Sequence, residues 1–199
     1  MLIDEIKKFS SKIQSKFYFN YDLKKSNWFN IGGKTKVFFK PESLKDLMSF
    51  LKEFGKNNKI YILGTGSNTL ISDNTFDGIV INLAKNFANI SLLPNDLILA
   101  VRACSYKKLS EFALDNGISG FEFLSCIPGT IGGGLKMNAG CFKREFKDIL
   151  VSLQAVNLQG EVITIPAAKV LFQYRSNDLS DSLIFLSSSF TGQKTEKNK

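Results

Sequence analysis

The chain has 199 residues, of which 44% are hydrophobic and 22% charged, and its formal net charge is +8. This composition is ordinary for a globular protein, and a chain of this length can bury a core without disulfide bonds. No apolar run reaches the roughly 18 residues of a membrane span, and three scattered cysteines without a Cys-x-x-Cys pair favour reduced thiols in the cytoplasm.

Histidine is absent from the sequence. Its absence excludes Ser-His-Asp and Cys-His nucleophiles, histidine-ligated zinc and histidine acid–base chemistry. We expect no metal site, so an enzyme of this sequence would use other side chains or a bound organic cofactor. The positive charge is spread along the chain without a nucleic-acid motif, so we expect no nucleic-acid partner. A lysine-rich surface and an attraction of phosphorylated small ligands both stay open.

Hydrophobic periodicity predicts a first half with β-α-β character. Its predicted elements, in chain order, are an amphipathic helix over 2–16, an extended stretch over 19–33 that turns at Gly32-Gly33, a strand over 35–40, a helix that begins after Ser43, and buried strands over 60–63 and 78–83. Ser43 is a typical N-cap for the second helix, and Gly55 stands where a C′ glycine is expected.

The second half adds a strand, a helix and a hairpin, so the predicted fold class is α+β. Its predicted elements are a strand over 97–103, a helix over 105–117, a hairpin over 149–165 that turns at Gln159-Gly160, and a last strand over 182–190. Two subdomains are expected to meet near residues 85–95. The predicted division is an N-terminal helix with an extended lead-in, a first subdomain, a second subdomain and a polar tail, at 1–26, 27–87, 88–190 and 191–199.

A loop of small residues follows the strand predicted at 60–63. Such a loop can direct successive backbone N–H groups at a phosphate. It lacks the Gly-Lys-Ser/Thr ending of a Walker A loop and the third glycine of a dinucleotide fingerprint, so a simple tight turn is the alternative. The loop consists of Gly64, Thr65, Gly66, Ser67 and Asn68.

A second glycine-rich segment, "IPGTIGGGLKMNAG", occupies residues 127–140 and holds five glycines in fourteen positions. Glycine costs conformational entropy on folding, so a cluster indicates close approach of the backbone to another group. A flat or anionic ligand is one such group, and a helix packed tightly on a sheet is the alternative. Two glycine-rich loops in one chain would suit a ligand with a diphosphate and a planar ring.

A third segment, "FQYRSND", covers residues 172–178 and contains Arg175 between aromatic and polar neighbours. A guanidinium in such a place can bind a carboxylate or a developing oxyanion. A solvated surface charge is the alternative.

Four motifs in the same order resemble those of the UDP-N-acetylenolpyruvoylglucosamine reductase family, flavoenzymes also called UDP-N-acetylmuramate dehydrogenases (the MurB type). The family's Asn-x-Phe-x-Ile-Gly-Gly opening matches 27–33, and its Leu-Gly-x-Gly-Ser-Asn loop matches 63–68. Its Ile-Pro-Gly-Thr and Met-Asn-Ala-Gly stretch matches 120–140, and its Tyr-Arg-x-Ser element matches Tyr174 and Arg175, with the serine one place early. The resemblance spans about residues 20–190.

The resemblance implies the two-subdomain FAD-binding fold of the PCMH or vanillyl-alcohol-oxidase type, with FAD between subdomains 27–87 and 88–190. It implies that the backbone of Gly64, Thr65, Gly66, Ser67 and Asn68 holds the diphosphate. The residues implied to line the flavin and adenine side are Pro128, Gly129, Thr130, Asn138, Gly140, Cys141 and Phe142.

The implied reaction has two steps. NADPH gives a hydride to the flavin, which passes it to the enolpyruvyl group of a nucleotide-sugar substrate, UDP-N-acetylglucosamine enolpyruvate. The product, UDP-N-acetylmuramate, is a peptidoglycan precursor. The resemblance assigns Arg175 to stabilisation of the enolate formed after hydride addition, and Tyr174 to the substrate.

The sequence also departs from the family. Cys141-Phe142 stands where Ala-Tyr is usual, and Gln173 replaces a common glycine. The family's third domain, which supplies a serine proton donor and a glutamate, would begin where the chain stops at Lys199. We therefore expect that this chain is a fragment, or a split-gene product that needs a separate partner chain, or a protein that has lost full catalysis. A different FAD-dependent oxidase of this fold and a non-catalytic binding module are the alternative functions.

Overall fold

A computed structural model describes residues 2–83 and 88–195. This described part of the chain divides into two compact units, 2–83 with 157–161 and 88–156 with 162–195. The described residues of the predicted lead-in 1–26 belong to the first unit, and so does the tip of the predicted hairpin. Within the described ranges, no helix is both long and apolar enough to span a membrane.

The first unit is built on a four-stranded sheet. Its elements are α1 (Leu2–Ser10), β1 (Lys16–Asp22), β2 (Lys34–Lys40), α2 (Leu44–Phe54), β3 (Ile60–Leu63) and β4 (Phe76–Asn82). The strand order is β1-β2-β4-β3, with β1 antiparallel to β2 and with β4 parallel to both β2 and β3. The predicted strands over 35–40, 60–63 and 78–83 and the predicted second helix are confirmed.

The first helix ends earlier than predicted. It stops at Ser10, and the hydroxyls of Ser10 and Ser11 donate hydrogen bonds to the carbonyls of Lys7 and Lys8, each at 2.8 Å. Serine side chains that bond nearby carbonyls compete with helical structure. Alternating aromatics then favour strand β1, in which Phe17 stacks on Phe39 with ring centroids 4.5 Å apart. The prediction of a helix to residue 16 is therefore wrong.

The second predicted helix begins at the predicted N-cap but does not end at a left-handed glycine. The hydroxyl of Ser43 accepts a hydrogen bond from the amide of Asp46 at 3.1 Å, as an N-cap does. Gly55 has a φ of −64°, so it is not the left-handed C′ glycine that was predicted. A side chain at Gly55 would collide with the carbonyl of Leu158, and this contact explains the glycine.

The second unit is built on a five-stranded antiparallel sheet. Its longer elements are β5 (Ile90–Leu93), β6 (Leu97–Val101), α3 (Tyr106–Asp115), α4 (Ile131–Lys136), β10 (Leu150–Val156), β11 (Val162–Pro166) and β14 (Ile184–Phe190). The strand order is β11-β10-β14-β6-β5. Fully buried Phe146 and Phe190 pack in its core with Leu109 and Ala113 of α3. The predicted hairpin and the predicted helix over 105–117 are confirmed.

Short two-residue strands complete the second unit. They are β7 (Ile118–Ser119), β8 (Gly140–Cys141), β9 (Arg144–Glu145), β12 (Phe172–Gln173), β13 (Ser176–Asn177) and β15 (Gln193–Lys194), which pair as β7–β15, β8–β9 and β12–β13. The segment predicted as a polar tail, 191–199, therefore includes a strand, and 196–199 lies outside the described residues. Strand β5 lies in the predicted boundary near 85–95, of which 85–87 is also outside the described residues.

Candidate functional site

The first glycine loop follows β3 at the carboxyl end of two parallel strands. The side chain of Asn82, the last residue of β4, donates hydrogen bonds to the carbonyls of Leu63 at 2.9 Å and Gly64 at 2.8 Å. These bonds fix the start of the loop against the neighbouring strand. The crevice beyond the carboxyl ends of parallel strands is a common position for ligands in α/β sheets.

Gly66 allows this loop to touch the segment after residue 26. It has a φ of +67°, and a Cβ there would lie 2.5 Å from the carbonyl oxygen of Ser26 and 2.6 Å from Cα of Asn27. Its own carbonyl accepts a hydrogen bond from the amide of Trp28 at 3.1 Å. The fold thereby brings together the two sequence motifs at 27–33 and 63–68.

The loop presents unpaired donors beside an unpaired acceptor. Among the residues that the structure describes, no acceptor bonds the amides of Thr65, Gly66 and Ser67. Asn27 is buried; its amide nitrogen donates to the carbonyls of Leu23 and Ile31, but its Oδ1 has no donor in the same set. Of Thr65, Gly66 and Ser67, only Gly66 is buried. Successive amides without a protein acceptor in such a turn can together bind an anion.

In the second unit, helix α4 begins against the end of β6. The amide of Ile131 donates to the carbonyl of Cys104 at 2.9 Å, and that of Gly132 donates to the carbonyl of Arg102 at 3.0 Å. Thr130, which precedes the helix, is buried and forms a bridge with Ser105, whereas Pro128 is exposed. The glycine-rich helix is thus held close to the turn between β6 and α3.

The glycines around α4 make room for side chains of the protein itself. A Cβ at Gly132 would lie 2.6 Å from Nε of Arg102, and a Cβ at Gly129 or Gly134 would lie 2.6 Å from the ring or hydroxyl of Tyr106. Packing against Arg102 and Tyr106 therefore explains all three glycines without a ligand. Gly133 differs, because a Cβ there would meet only the hydroxyl of Thr130, at 3.7 Å. Gly133 is the helical glycine that faces open space.

Arg102 is a buried cation that the sequence reasoning missed. Its side chain is only 6% exposed, and no carboxylate or other acceptor in the described part of the chain bonds its guanidinium. Burial lowers the pKa of Arg102 to about 10, so the group remains protonated at pH 7. No sequence pattern predicts the burial of Arg102, because that burial depends on how α4 packs.

The motif Asn138 to Phe142 forms a hairpin with an exposed aromatic tip. Strands β8 and β9 are joined by Phe142 and Lys143, with φ of +52° and +62°, and Phe142 is 73% exposed. Positive φ at both turn residues is the geometry of a two-residue type I′ hairpin, which normally takes asparagine or glycine. A bulky residue in that conformation costs free energy. Cys141 is half-buried beside it.

Asn138, predicted to contact the cofactor, connects three segments of the protein. It is fully buried, and its side-chain nitrogen donates to the carboxylate of Glu145 at 3.0 Å and to the carbonyl of Gln173 at 3.1 Å. Its Oδ1 accepts from the amide of Lys147 at 3.1 Å. Both polar atoms of the side chain are thus bonded internally, which gives Asn138 a structural role.

Tyr174 and Arg175 form the exposed turn between β12 and β13. Arg175 has a φ of +57°, and its Nη2 donates a hydrogen bond to the carbonyl of Gly140 at 3.0 Å. Its guanidinium carbon lies 5.3 Å from the centre of the Tyr174 ring, which is 81% exposed. The fold therefore brings the Tyr-Arg motif to the hairpin formed by the Met-Asn-Ala-Gly motif.

Charges near Arg175 affect two neighbouring groups. The hydrogen bond from Lys147 lowers the pKa of Glu145, and the charge of Arg175 adds to that lowering. Burial raises the pKa of the Tyr106 hydroxyl, and Arg175 acts against that rise. In the described ranges, no group of three or more potential metal ligands occurs.

Comparison with known proteins gives a consistent picture. The model of the FAD binding domain family matches residues 35–166. The chain is 69% identical over all its 199 residues to a UDP-N-acetylenolpyruvoylglucosamine reductase of Pelagibacter ubique, and it covers 65% of that protein. A reductase of the same name from Rickettsia massiliae is 43% identical over 178 residues, and this chain covers 60% of that protein. The chain spans less than two thirds of the length of both relatives.

Solved structures agree on the fold. The crystal structure of UDP-N-acetylenolpyruvylglucosamine reductase (MurB) from Thermus caldophilus matches 92% of this chain and 64% of its own, with a TM-score of 0.77 and 24% identity. The BBE-like 1 protein of Physcomitrella patens matches 94% of this chain with a TM-score of 0.64 and 13% identity. The predicted α+β, FAD-binding fold of PCMH type is confirmed.

Proposed function

Because this chain belongs to the FAD binding domain family, we propose that it is the flavin-binding part of a UDP-N-acetylenolpyruvoylglucosamine reductase. The observation that carries the proposal is the row of free amides at Thr65, Gly66 and Ser67, beside the buried acceptor of Asn27. These donors fit the diphosphate of FAD, with Gly64 and Asn68 at the two ends of the row. Bound FAD would supply transfer of a hydride from NADPH to the enolpyruvyl substrate.

The second unit would contribute the groups around the reacting atoms. We assign the open face at Gly133, together with 128–130 and the hairpin of Gly140, Cys141 and Phe142, to contacts with the cofactor. The free face of α4 supports this assignment, because a planar ring can approach a helix closely only where no Cβ intervenes. Asn138 would act indirectly by holding that hairpin in place.

Arg175 would bind the carboxylate of the enolpyruvyl group and stabilise the enolate that forms when the hydride arrives. A guanidinium forms strong charge-assisted hydrogen bonds with such oxygens. Its bond to the Gly140 carbonyl orients the group and leaves its other N–H donors for the substrate. The exposed ring of Tyr174, which packs beside the guanidinium, would contact the nucleotide sugar.

Protonation of the enolate requires a further group. We propose that the part of such reductases not covered by this chain, on the same or a separate polypeptide, supplies the proton donor. The product would enter peptidoglycan synthesis, with its consequences for cell shape and division. A cytoplasmic location is proposed because Cys104, Cys126 and Cys141 are free thiols.

The test begins with the colour of the purified chain. A flavin absorption spectrum is expected, and acid should release all of the flavin, because the sequence has no histidine for a histidyl link. Anaerobic NADPH should then bleach the spectrum. A colourless chain that takes up no added FAD would refute flavin binding, and a flavin that NADPH cannot reduce but oxygen reoxidises rapidly after dithionite would indicate an oxidase.

Substrate assignment is tested by joining the chain to the part of the Pelagibacter ubique relative that it does not cover. This fusion should form UDP-N-acetylmuramate from NADPH and UDP-N-acetylglucosamine enolpyruvate, as followed by chromatography of the nucleotide sugars. The control is the same fusion without NADPH. Flavin reduction without this product would contradict the proposed substrate.

A further inference from the structure

Arg102 carries a charge that the described protein does not neutralise. The residue is 6% exposed, and no acceptor among the described residues bonds its guanidinium, whose nitrogens are not fully enclosed by the protein. Removal of an ion from water costs several kcal/mol unless a counter-ion or hydrogen bonds replace the hydration. Arginines that are this deeply buried are therefore nearly always paired.

Several acidic side chains of the second unit are bonded to groups other than Arg102. No ionised neighbour contributes to the shifted pKa of Arg102, whose only cause is burial. Four carboxylates of this unit are instead bonded to other groups: Glu122 to the amide of Gly120, Glu145 to Lys147, Asp148 to the amide of Glu145, and Asp181 to Lys136. None of these four carboxylates is therefore the counter-ion of Arg102, and a bound anion would fill that role.

The position of Arg102 is fixed by the backbone on both sides. Its amide donates to the carbonyl of Leu186 in β14, and its carbonyl accepts from the amide of Gly132 in the first turn of α4. The guanidinium passes beneath α4 because Gly132 has no side chain; a Cβ there would lie 2.6 Å from Nε and 3.1 Å from Cζ. Gly133, the next residue, is the open position of the same helix.

We propose that Arg102 is the counter-ion of an anionic oxygen of the bound flavin dinucleotide. The inference rests on the proposed function, because it requires that FAD binds to this chain. Oxidised FAD carries its negative charge on the diphosphate, whereas the reduced ring can also carry a negative charge. The diphosphate and the reduced ring both present an anionic oxygen or nitrogen that a guanidinium can bind, and they are distinguished by ADP binding and by the midpoint potential.

The experiment compares Arg102→Met with the wild-type chain after the flavin has been removed. Methionine keeps an unbranched stem of similar reach but has no charge. Oxidised FAD and ADP are titrated by calorimetry at two salt concentrations, and the midpoint potential of the bound flavin is measured. Lys107→Met is the matched control, because it removes one positive charge from an exposed position of α3. Arg102→Lys, which keeps the charge, is the second variant in case methionine impairs folding.

We expect Arg102→Met to bind FAD about 10- to 100-fold more weakly, the scale of a lost charged hydrogen bond, and to melt no lower than wild type without flavin. If Arg102→Met binds ADP more weakly by the same factor as FAD, the anion beside Arg102 is the diphosphate. If the midpoint potential falls while the affinity for oxidised FAD is unchanged, the anion is the reduced flavin ring. The inference is overturned if Arg102→Met matches Lys107→Met in FAD affinity and potential, or if Arg102→Lys shows any loss of affinity as large as that of methionine. Absence of FAD binding by the wild-type chain would refute the proposed function instead.

Discussion

The guanidinium of Arg175 donates a hydrogen bond to the carbonyl of Gly140, 35 residues earlier in the chain, at 3.0 Å. This bond joins the exposed turn of the β12–β13 hairpin to the β8–β9 hairpin. It restricts a side chain that would otherwise be mobile at an exposed position. The two motifs that the sequence marks at 137–140 and 174–175 thus form one local structure.

Replacement of Arg175 by alanine should affect chemistry and leave folding intact. The side chain is exposed and its one hydrogen bond to the protein is open to solvent, so its loss should change the free energy of unfolding by only about 1 kcal/mol. Turnover of the enolpyruvyl substrate by the fusion enzyme should fall by about 10² or more, the scale of one lost oxyanion-stabilising group. Flavin reduction by NADPH should be retained.

The control for Arg175→Ala is Lys169→Ala, which removes an exposed positive charge from the same unit. Lys169→Ala should leave turnover unchanged. Normal turnover in Arg175→Ala, or a large drop of its melting temperature, would contradict the assigned role.

Gly133→Ala should separate stability from cofactor binding. Alanine is the better helix former by roughly 0.5–1 kcal/mol, and the open space above Gly133 accepts a methyl group, so the chain without flavin should become more stable. FAD affinity should fall if the cofactor lies on this face. Thermal melting and FAD titration measure the two effects.

The matched variant is Gly132→Ala, one residue earlier in α4. Its methyl group would press on Nε of Arg102, so this variant should lose stability even without FAD. If Gly133→Ala gains stability and binds FAD as wild type does, the cofactor does not approach this face of α4.

Gly66→Val should destabilise the protein before any ligand is added. The residue has a φ of +67°, which is costly for a β-branched side chain, and its Cβ would collide with the backbone of Ser26 and Asn27. We expect a loss of about 1–3 kcal/mol in the free energy of unfolding, measured by urea denaturation. FAD affinity should fall in the same variant. An unchanged unfolding midpoint would show that residues 26–28 do not contact the loop.

The Glu145 carboxylate should make a small, pH-dependent contribution to stability. Its pKa is lowered because it accepts a hydrogen bond from Lys147, 2.8 Å away, and the folded state therefore favours the ionised form. The contribution is complete above the unfolded pKa, about 4.3, and is lost as the pH falls through the lower folded value. It should stay below about 1 kcal/mol, because the pair is open to solvent.

Urea denaturation of Glu145→Gln at pH 7 and pH 3 measures this contribution. Wild type should lose more stability than Glu145→Gln over this interval. Glu53→Gln, an exposed carboxylate of α2, should behave like wild type. An equal loss in wild type and Glu145→Gln would show that the pair with Lys147 does not stabilise the folded state.

Local sequence determined those secondary-structure elements of this protein whose conformation depends on residues close in sequence. The Ser43 cap, the strands around 35–40 and 60–63 and the turn at Gln159-Gly160 follow from hydrophobic periodicity and short-range hydrogen bonding. The family motifs also identified the FAD-binding fold, since their residue types and order are readable without coordinates. A loop of small residues after β3 can also be read from the sequence, whereas the identity of the amides that lack an acceptor depends on the folded backbone.

Tertiary structure decided how crowded each position is. The sequence shows that Gly129, Gly132 and Gly134 lack side chains, but only packing shows that Tyr106 and Arg102 fill the space. Burial of Arg102 likewise depends on the approach of α4 to the end of β6, which brings together residues about thirty positions apart. Contacts between distant segments reflect the path of the whole chain, so no local pattern could specify which glycine of α4 was left open.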